Sequence, residues 1–229
     1  MKTAIVTGAN GNLGSATVKK LIKEGYFVAG TVLQDDKSAP VFPKESFEKI
    51  AVNLDDENDS RKFVNGVIAK QKNIDVAVLT VGGFASGSIA DTSTSDIEKQ
   101  FRLNFITAYN VIRPVFSQMM KQGHGRIFII GSKAGLTSKD GKGVVAYGLA
   151  KSLLFRLAEL MNAEAKGKNV VTSVIVPSTI DTPQNRESMP DSDFEKWVKA
   201  ESIADIIYWY CTDEAAMLRE PVIKVYNNG

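Results

Sequence analysis

The sequence predicts an α/β protein with a doubly wound parallel sheet of about seven strands and helices on both faces. Three observations predict it. Short apolar, β-branched runs alternate with helical patterns from end to end. The strand runs are apolar on both faces, as strands buried between two helix layers are. The turn after the first run is glycine-rich and leads straight into a helical pattern. With right-handed crossovers, this alternation gives an open sheet whose ligands sit beyond the carboxyl ends of the strands, at the point where the strand order reverses.

In chain order, strands are predicted at 3–7, 27–32, 50–53, 74–80, 126–130, 170–176 and 222–226, and helices at 12–24, 56–72, 94–122, 145–166 and 201–212. The first helix carries Leu13, Ala16, Leu21 and Ile22 on one side, and Gly25 is placed to end it. The 94–122 helix opens with Ser95-Asp96-Ile97-Glu98, a capping-box pattern. The longest irregular stretch is 177–202, and an irregular segment of that length in a compact domain reads as a lid over a binding site. Repeats, low-complexity tracts and linkers are absent, so residues 1–229 read as one domain.

Composition narrows the function classes. The chain has 28 Lys+Arg against 26 Asp+Glu, a net charge of +2, which gives no electrostatic footprint for nucleic acid or an anionic membrane. Cys211 alone cannot form an intrachain disulfide or a thiolate metal cluster, and points to a reducing compartment. His124 alone excludes a two-His metal site, and its place in Gln122-Gly123-His124-Gly125 argues against a Ser-His-Asp triad, so no metal is expected and any acid/base group is sought elsewhere. The apolar run after Met1-Lys2 ends at Thr7, too short for a signal-peptide core, and no run approaches the roughly 18 residues that span a bilayer. A soluble, cytoplasmic protein acting on a small molecule is expected.

The run Thr7-Gly8-Ala9-Asn10-Gly11-Asn12-Leu13-Gly14 carries the first functional signal. Gly8 permits a tight turn, Gly11 lets backbone approach a pyrophosphate, and Gly14 lets helix pack on strand. The helix then offers free N–H groups to phosphate. The plain alternative is a glycine-rich turn; its place in a strand–turn–helix unit favours a Rossmann-type dinucleotide site. NAD selectivity normally shows as a carboxylate ending the second strand. That strand ends Ala29-Gly30-Thr31-Val32-Leu33, with no acid before Asp35 and Lys37 as the nearest cation, so the reading of NAD(P) leans to NADP.

The second signal is Ala146-Tyr147-Gly148-Leu149-Ala150-Lys151, where i,i+4 spacing puts Tyr147 and Lys151 on one helix face. A neighbouring ammonium favours phenolate and is expected to lower the Tyr147 pKa, making it an acid/base group without His. An incidental Tyr-xxx-Lys pair is the bland alternative. Its position after strand 126–130 and Gly131-Ser132 puts it at a ligand-binding strand end.

These motifs together, in this order and spacing, resemble the short-chain dehydrogenase/reductase superfamily over essentially the whole chain. The resemblance implies that Tyr147 protonates the substrate oxygen, that Lys151 tunes Tyr147 and holds the nicotinamide ribose, and that Ser132 bonds the reacting carbonyl. It implies that Asn104, in Arg102-Leu103-Asn104-Phe105, holds a proton-relay water. It extends the cofactor contacts from Gly8, Asn10, Gly11, Asn12, Leu13 and Gly14 to Thr31, Asn53, Leu54, Val81, Gly82, Pro177, Ile180 and Thr182, with Thr182 on the carboxamide. Three departures stand out. Thr80-Val81-Gly82-Gly83 replaces the usual Asn-Asn-Ala-Gly, Asn53 replaces the usual Asp, and the loop between Ser132 and Tyr147 is longer than common. The resemblance also implies a homodimer or homotetramer through 94–122 and 145–166, whose stripes Phe101, Phe105, Val111, Val115 and Leu153, Leu157, Leu160 equally fit packing on the sheet.

Within the superfamily, the run from Asp181-Thr182-Pro183 through Asn185-Arg186, Ser188-Met189-Pro190 and Asp193-Phe194 to Trp197, with Gly82-Gly83-Phe84, is similar to dihydropteridine reductase. That likeness implies reduction of a quinonoid dihydropterin held between Phe84 and Trp197. Against it, that family's acidic NADH-selecting residue is missing here, and Ser132 and Asn104 are present where its animal members lack them. Three readings follow: a carbonyl/alcohol oxidoreductase, a dihydropteridine reductase, and a non-catalytic dinucleotide sensor.

Overall fold

The computed structural model describes residues 1–33 and 42–227. Asp35 and Lys37, which bear on the cofactor reading, lie outside the described residues. One parallel sheet holds β1 (Thr3–Thr7), β2 (Phe27–Val32), β3 (Phe47–Ala51), β4 (Val76–Leu79), β5 (His124–Ile130), β6 (Asn169–Pro177) and β9 (Val222–Val225), in the spatial order β3-β2-β1-β4-β5-β6-β9. The order reverses between β1 and β4, so the crevice at their carboxyl ends is the expected ligand site. Helices α1 (Asn12–Lys23) and α8 (Ala200–Trp209) cover one face, and α2 (Glu57–Gln71), α4 (Thr107–Gln122) and α6 (Val145–Glu164) the other.

Side-chain alternation along β1 explains why the sheet needs both layers. Ala4 and Val6 join the α1/α8 core while Ile5, between them, joins the α2/α4/α6 core, and all three are fully buried. Burial on both faces contributes about 1.5–3 kcal/mol for each large aliphatic side chain, which fixes the strand register that the site depends on.

Several sequence expectations need correction. The third strand begins at Phe47, not at 50, because an edge strand tolerates the half-buried Glu48 and exposed Lys49 that hid its first half. The capping box is Ser93 with Asp96, two residues ahead of the predicted Ser95–Glu98, and Ser95 lies inside α3 (Thr94–Phe101). The 94–122 segment is not one uniform helix: a π-helical turn at Arg102–Ile106 separates α3 from α4. His124 opens β5, and its Nε2 lies 3.2 Å from Asp75 Oδ1. The helix before it ends at left-handed Gly123.

The predicted 177–202 stretch is not irregular. It contains β7 (Ile180–Asp181), α7 (Pro183–Ser188), a 3₁₀ turn at Phe194–Lys196 and β8 (Val198–Lys199), with β7 and β8 pairing in parallel at its base. Of the predicted intersubunit stripe, Val111 and Val115 belong to the core, whereas Leu153 and Leu160 are exposed. Among the described residues, no helix is long and apolar enough to cross a membrane.

Candidate active site

The glycine turn is built as the sequence requires. Gly8 has φ +62°, a left-handed backbone that favours glycine, and its carbonyl accepts from Gly11 N at 2.9 Å. A side chain at Gly14 would collide with that Gly8 carbonyl, so α1 can start this close to β1 only with glycine there. Leu13 is buried beneath the turn, Asn10 is half-buried, and Gly11 and Asn12 are exposed. Thr31 is buried and its hydroxyl accepts from Gly8 N at 3.2 Å, so it shapes the turn from the neighbouring strand.

The missing Asn-Asn-Ala-Gly has a local substitute. Thr80 Oγ1 donates to the Thr7 carbonyl at 2.6 Å, while Thr7 Oγ1 accepts from Thr80 N at 3.1 Å and Val81 N at 3.4 Å. These bonds tie β1 to β4 at the switch point. Both threonines stand in the motifs quoted above, but no role was expected of either, although Thr7 immediately precedes the first glycine and Thr80 immediately follows β4.

Asn104 sits in the π-helical turn and is 1% exposed. Its Oδ1 accepts from Gly83 N at 3.1 Å, and its Nδ2 donates to the Gly83 carbonyl at 3.0 Å and to Gln100 Oε1 at 2.9 Å. The side chain therefore clamps Gly82-Gly83 to the helix. A Cβ at Gly82 would come within 2.6 Å of Asn104 Oδ1 and 3.2 Å of Lys151 Nζ. Gln100, buried in α3, completes this network. Its i,i+4 spacing from Asn104 was the available signal.

Asn53 is exposed and its Oδ1 accepts from Asp55 N at 3.2 Å. The Leu54 carbonyl accepts from Asn110 Nδ2 at 2.9 Å, which docks this loop on α4. Arg102 donates from Nε and a terminal nitrogen to Asp55 Oδ2 at 3.0 and 2.7 Å.

At the end of β5, Ser132 caps the short helix α5 (Lys133–Leu136), accepting from Ala134 N at 3.2 Å. Gly135 and Gly148 let α5 and α6 approach closely: added Cβ atoms would meet Lys151 Cβ at 2.7 Å and the Ala134 carbonyl at 3.0 Å. Close packing brings Ser132 and Tyr147 onto one cavity wall, where Ser132 is near enough to oppose the rise that burial imposes on the phenol pKa. The longer loop between them is anchored, since Gly87 N donates to the Gly143 carbonyl at 2.8 Å and Val145 N to the Gly87 carbonyl at 3.0 Å.

Lys151 is 5% exposed, and Nζ donates to the Ile130 carbonyl at 2.8 Å. Desolvation lowers its pKa to about 8. Burial pushes the Tyr147 phenol up, with Ser132 pulling it down. The net direction is upward, opposite to the lowering expected from Lys151.

A cavity of about 1110 Å³ brings together Gly82, Ser132, Tyr147, Lys151, Pro177, Ile180 and Thr182, with Phe84 and Trp197 also on its wall. The glycine-turn residues, Thr31, Asn53, Leu54, Val81 and Asn104 lie outside that wall. Among the described residues no group of three His, Cys, Asp or Glu could hold a metal ion.

The family model described as short chain dehydrogenase matches residues 2–193. The chain belongs to the short chain dehydrogenase family. Among curated relatives of this family member, 3-oxoacyl-(acyl-carrier-protein) reductase FabG of Buchnera aphidicola subsp. Acyrthosiphon pisum (strain APS) is 24% identical over 238 residues, covering 100% of this chain and 96% of the relative. Acetoacetyl-CoA reductase of Acinetobacter sp. (strain RA3849) is 26% identical over 189 residues, covering 80% of this chain and 75% of the relative. The crystal structure of a blue fluorescent protein from a metagenomic library in complex with NADPH superposes with a TM-score of 0.86 at 21% identity, covering 99% of this chain and 97% of that one. It is similar in fold.

Proposed function

We propose that this short chain dehydrogenase is an NAD(P)H-dependent reductase of small carbonyl compounds, able to run in reverse as an alcohol dehydrogenase. The observation that carries the reading is the convergence of Tyr147, Ser132 and buried Lys151 in one cavity at the end of β5. The chain's own residues fit a dinucleotide: the N-cap of α1 is Gly11, so no side chain caps that helix terminus, and side-chain-free Gly82 borders Lys151.

A reduced nicotinamide, when bound, would supply the hydride that the carbonyl carbon accepts. Tyr147 gives its phenolic proton to the carbonyl oxygen, and Ser132 donates a hydrogen bond that orients that oxygen. Lys151, held by the Ile130 carbonyl, supports the charge that develops on Tyr147 and binds the nicotinamide ribose. Asn104 holds Gly83 through both ends of its amide and so fixes the backbone that borders Lys151. Gly8, Asn10, Gly11, Asn12, Leu13 and Gly14 bind the pyrophosphate, Thr31, Asn53, Leu54 and Val81 the adenosine side, and Pro177, Ile180 and Thr182 the nicotinamide. The absence of a carboxylate in Thr31-Val32-Leu33 favours NADPH, as does the NADPH-bound neighbour of the same fold. The exposed Leu149, Leu153 and Leu160 on α6, beside the stacked Phe101, Phe105 and Tyr109, suit a homodimer or homotetramer.

One observation favours a second reading. Phe84 is 69% exposed at the cavity and meets the Tyr147 ring edge-on at 5.3 Å, an aromatic shelf for a flat heterocycle such as a quinonoid dihydropterin. The deciding experiment follows loss of reduced-nicotinamide absorbance with a panel of ketones and 3-oxoacyl thioesters against a quinonoid dihydropterin. Turnover of carbonyls supports the first reading and turnover of the pterin alone the second. Tight dinucleotide binding without turnover of either identifies a sensor.

A further inference from the structure

Among the described residues, a side-chain hydrogen bond joins the lid to the glycine turn. Asn12 Nδ2, on the first residue of α1, donates to Gln184 Oε1 of α7 at 2.9 Å, joining residues 172 apart in sequence. Gln184 is not on a loose segment. Thr182 caps α7 by accepting from Asn185 N at 3.1 Å, Pro183 fixes its first residue, and Asn185 Nδ2 ties it back to the Ile180 carbonyl at 2.8 Å. Arg186 binds Asp181 through two bonds of 2.6 and 2.8 Å, and its guanidinium packs 4.6 Å from the Phe194 ring, which lies 4.8 Å from Trp197. The pairing of β7 with β8, and Asn227 Nδ2 donating to the Glu195 carbonyl at 2.7 Å, close the base of the unit. The lid is thus a braced body that meets the start of α1 through Gln184.

We infer that Gln184 is a positioning residue that clasps the lid to Asn12 and sets how long a bound dinucleotide stays. The inference rests on the dinucleotide reading above. Asn12 stands at the helix terminus where phosphate would bind, and Thr182, two residues before Gln184, is on the cavity wall. A dinucleotide spanning the glycine turn and the cavity would lie between the two elements that this bond joins, so its departure would require the bond to open. Cofactor release then limits turnover whenever the chemical steps are faster. The clasp pairs two neutral amides, so its opening is insensitive to pH across the range where both side chains keep their form.

Stopped-flow displacement of NADPH or NADH, followed by nicotinamide fluorescence, tests the clasp without any substrate. Q184M keeps the length of the side chain and removes its acceptor. The expected result is release about two- to tenfold faster, the range one neutral hydrogen bond supports, with unchanged association rate and melting temperature. N12A introduced into Q184M should add less to the release rate than N12A adds to the wild type. Binding with an unchanged release rate in Q184M, or fully additive effects of the two changes, overturns the clasp alone. Failure of the wild-type chain to bind either dinucleotide overturns the function reading and the clasp with it.

Discussion

Lys151 Nζ lies 5.8 Å from the centre of the Tyr147 ring and gives its hydrogen bond to the Ile130 carbonyl, not to the phenol. The two side chains share one face of α6, as i,i+4 spacing requires, yet Ser132, not Lys151, is the group that opposes the burial-driven rise of the Tyr147 pKa. Burial raises the phenol pKa and favours the protonated form, which is the form a carbonyl reductase needs in a proton donor.

Removing that hydroxyl tests the donor directly. Y147F should bind NADPH with near-normal affinity and lose about 10²- to 10⁴-fold in kcat, the span typical of general-acid help. Fluorescence titration and steady-state turnover on the same preparation separate the two effects. Turnover within a few-fold of wild type would remove Tyr147 from the chemistry.

Ser132 lowers the Tyr147 pKa while burial raises it. S132A removes the opposing influence, so the phenol should hold its proton to higher pH. In the reduction direction the alkaline fall in kcat should move upward, and in the oxidation direction the pH at which activity appears should move upward too. Rate profiles in both directions check this, and an alkaline limb left in place would contradict the link.

Lys151 couples function to stability. Its pKa falls from the ordinary 10.5 to about 8 on burial, so the folded state holds the proton less tightly than the unfolded chain. The penalty is fully present below pH 8 and is relieved as pH rises from about 8 towards 10.5; the shift corresponds to about 3 kcal/mol. K151M removes the charge but leaves the Ile130 carbonyl without its partner, which costs about 1 kcal/mol. The variant should melt a few degrees higher at pH 7, lose that advantage towards pH 10, and be catalytically impaired. A lower melting temperature at pH 7 would show that the hydrogen bond outweighs the buried charge.

Most of the sheet and the main site elements were readable because they rest on local rules. The doubly apolar runs, the glycine turn after β1 and the Tyr147–Lys151 spacing each follow from sequence neighbours. What escaped depends on contacts between distant segments. Thr80 acts through Thr7, Gln100 through Asn104, and the lid's order through Arg186 reaching both Asp181 and Phe194. The edge strand β3 hid its start behind Glu48 and Lys49, and the π-helical turn at Asn104 has no periodic signature of its own.

Gly82 tests whether the clearance beside Lys151 matters. In α6 and β4 the buried Lys151 and the strand end approach each other only because residue 82 carries no side chain. Its backbone lies next to Asn104, whose amide is already engaged at both ends by Gly83 and by Gln100. A methyl group there would sit 2.6 Å from Asn104 Oδ1 and 3.2 Å from Lys151 Nζ. Asn104 cannot retreat without breaking its bonds to Gly83, and Lys151 cannot without losing Ile130, so the strand end must move. G82A should therefore weaken dinucleotide binding at least about tenfold and cost about 1–3 kcal/mol in stability, the range for overpacking a well-filled site. Calorimetric titration with NADPH and thermal melting of the same protein measure both, and unchanged affinity would show that the cofactor does not pass this point.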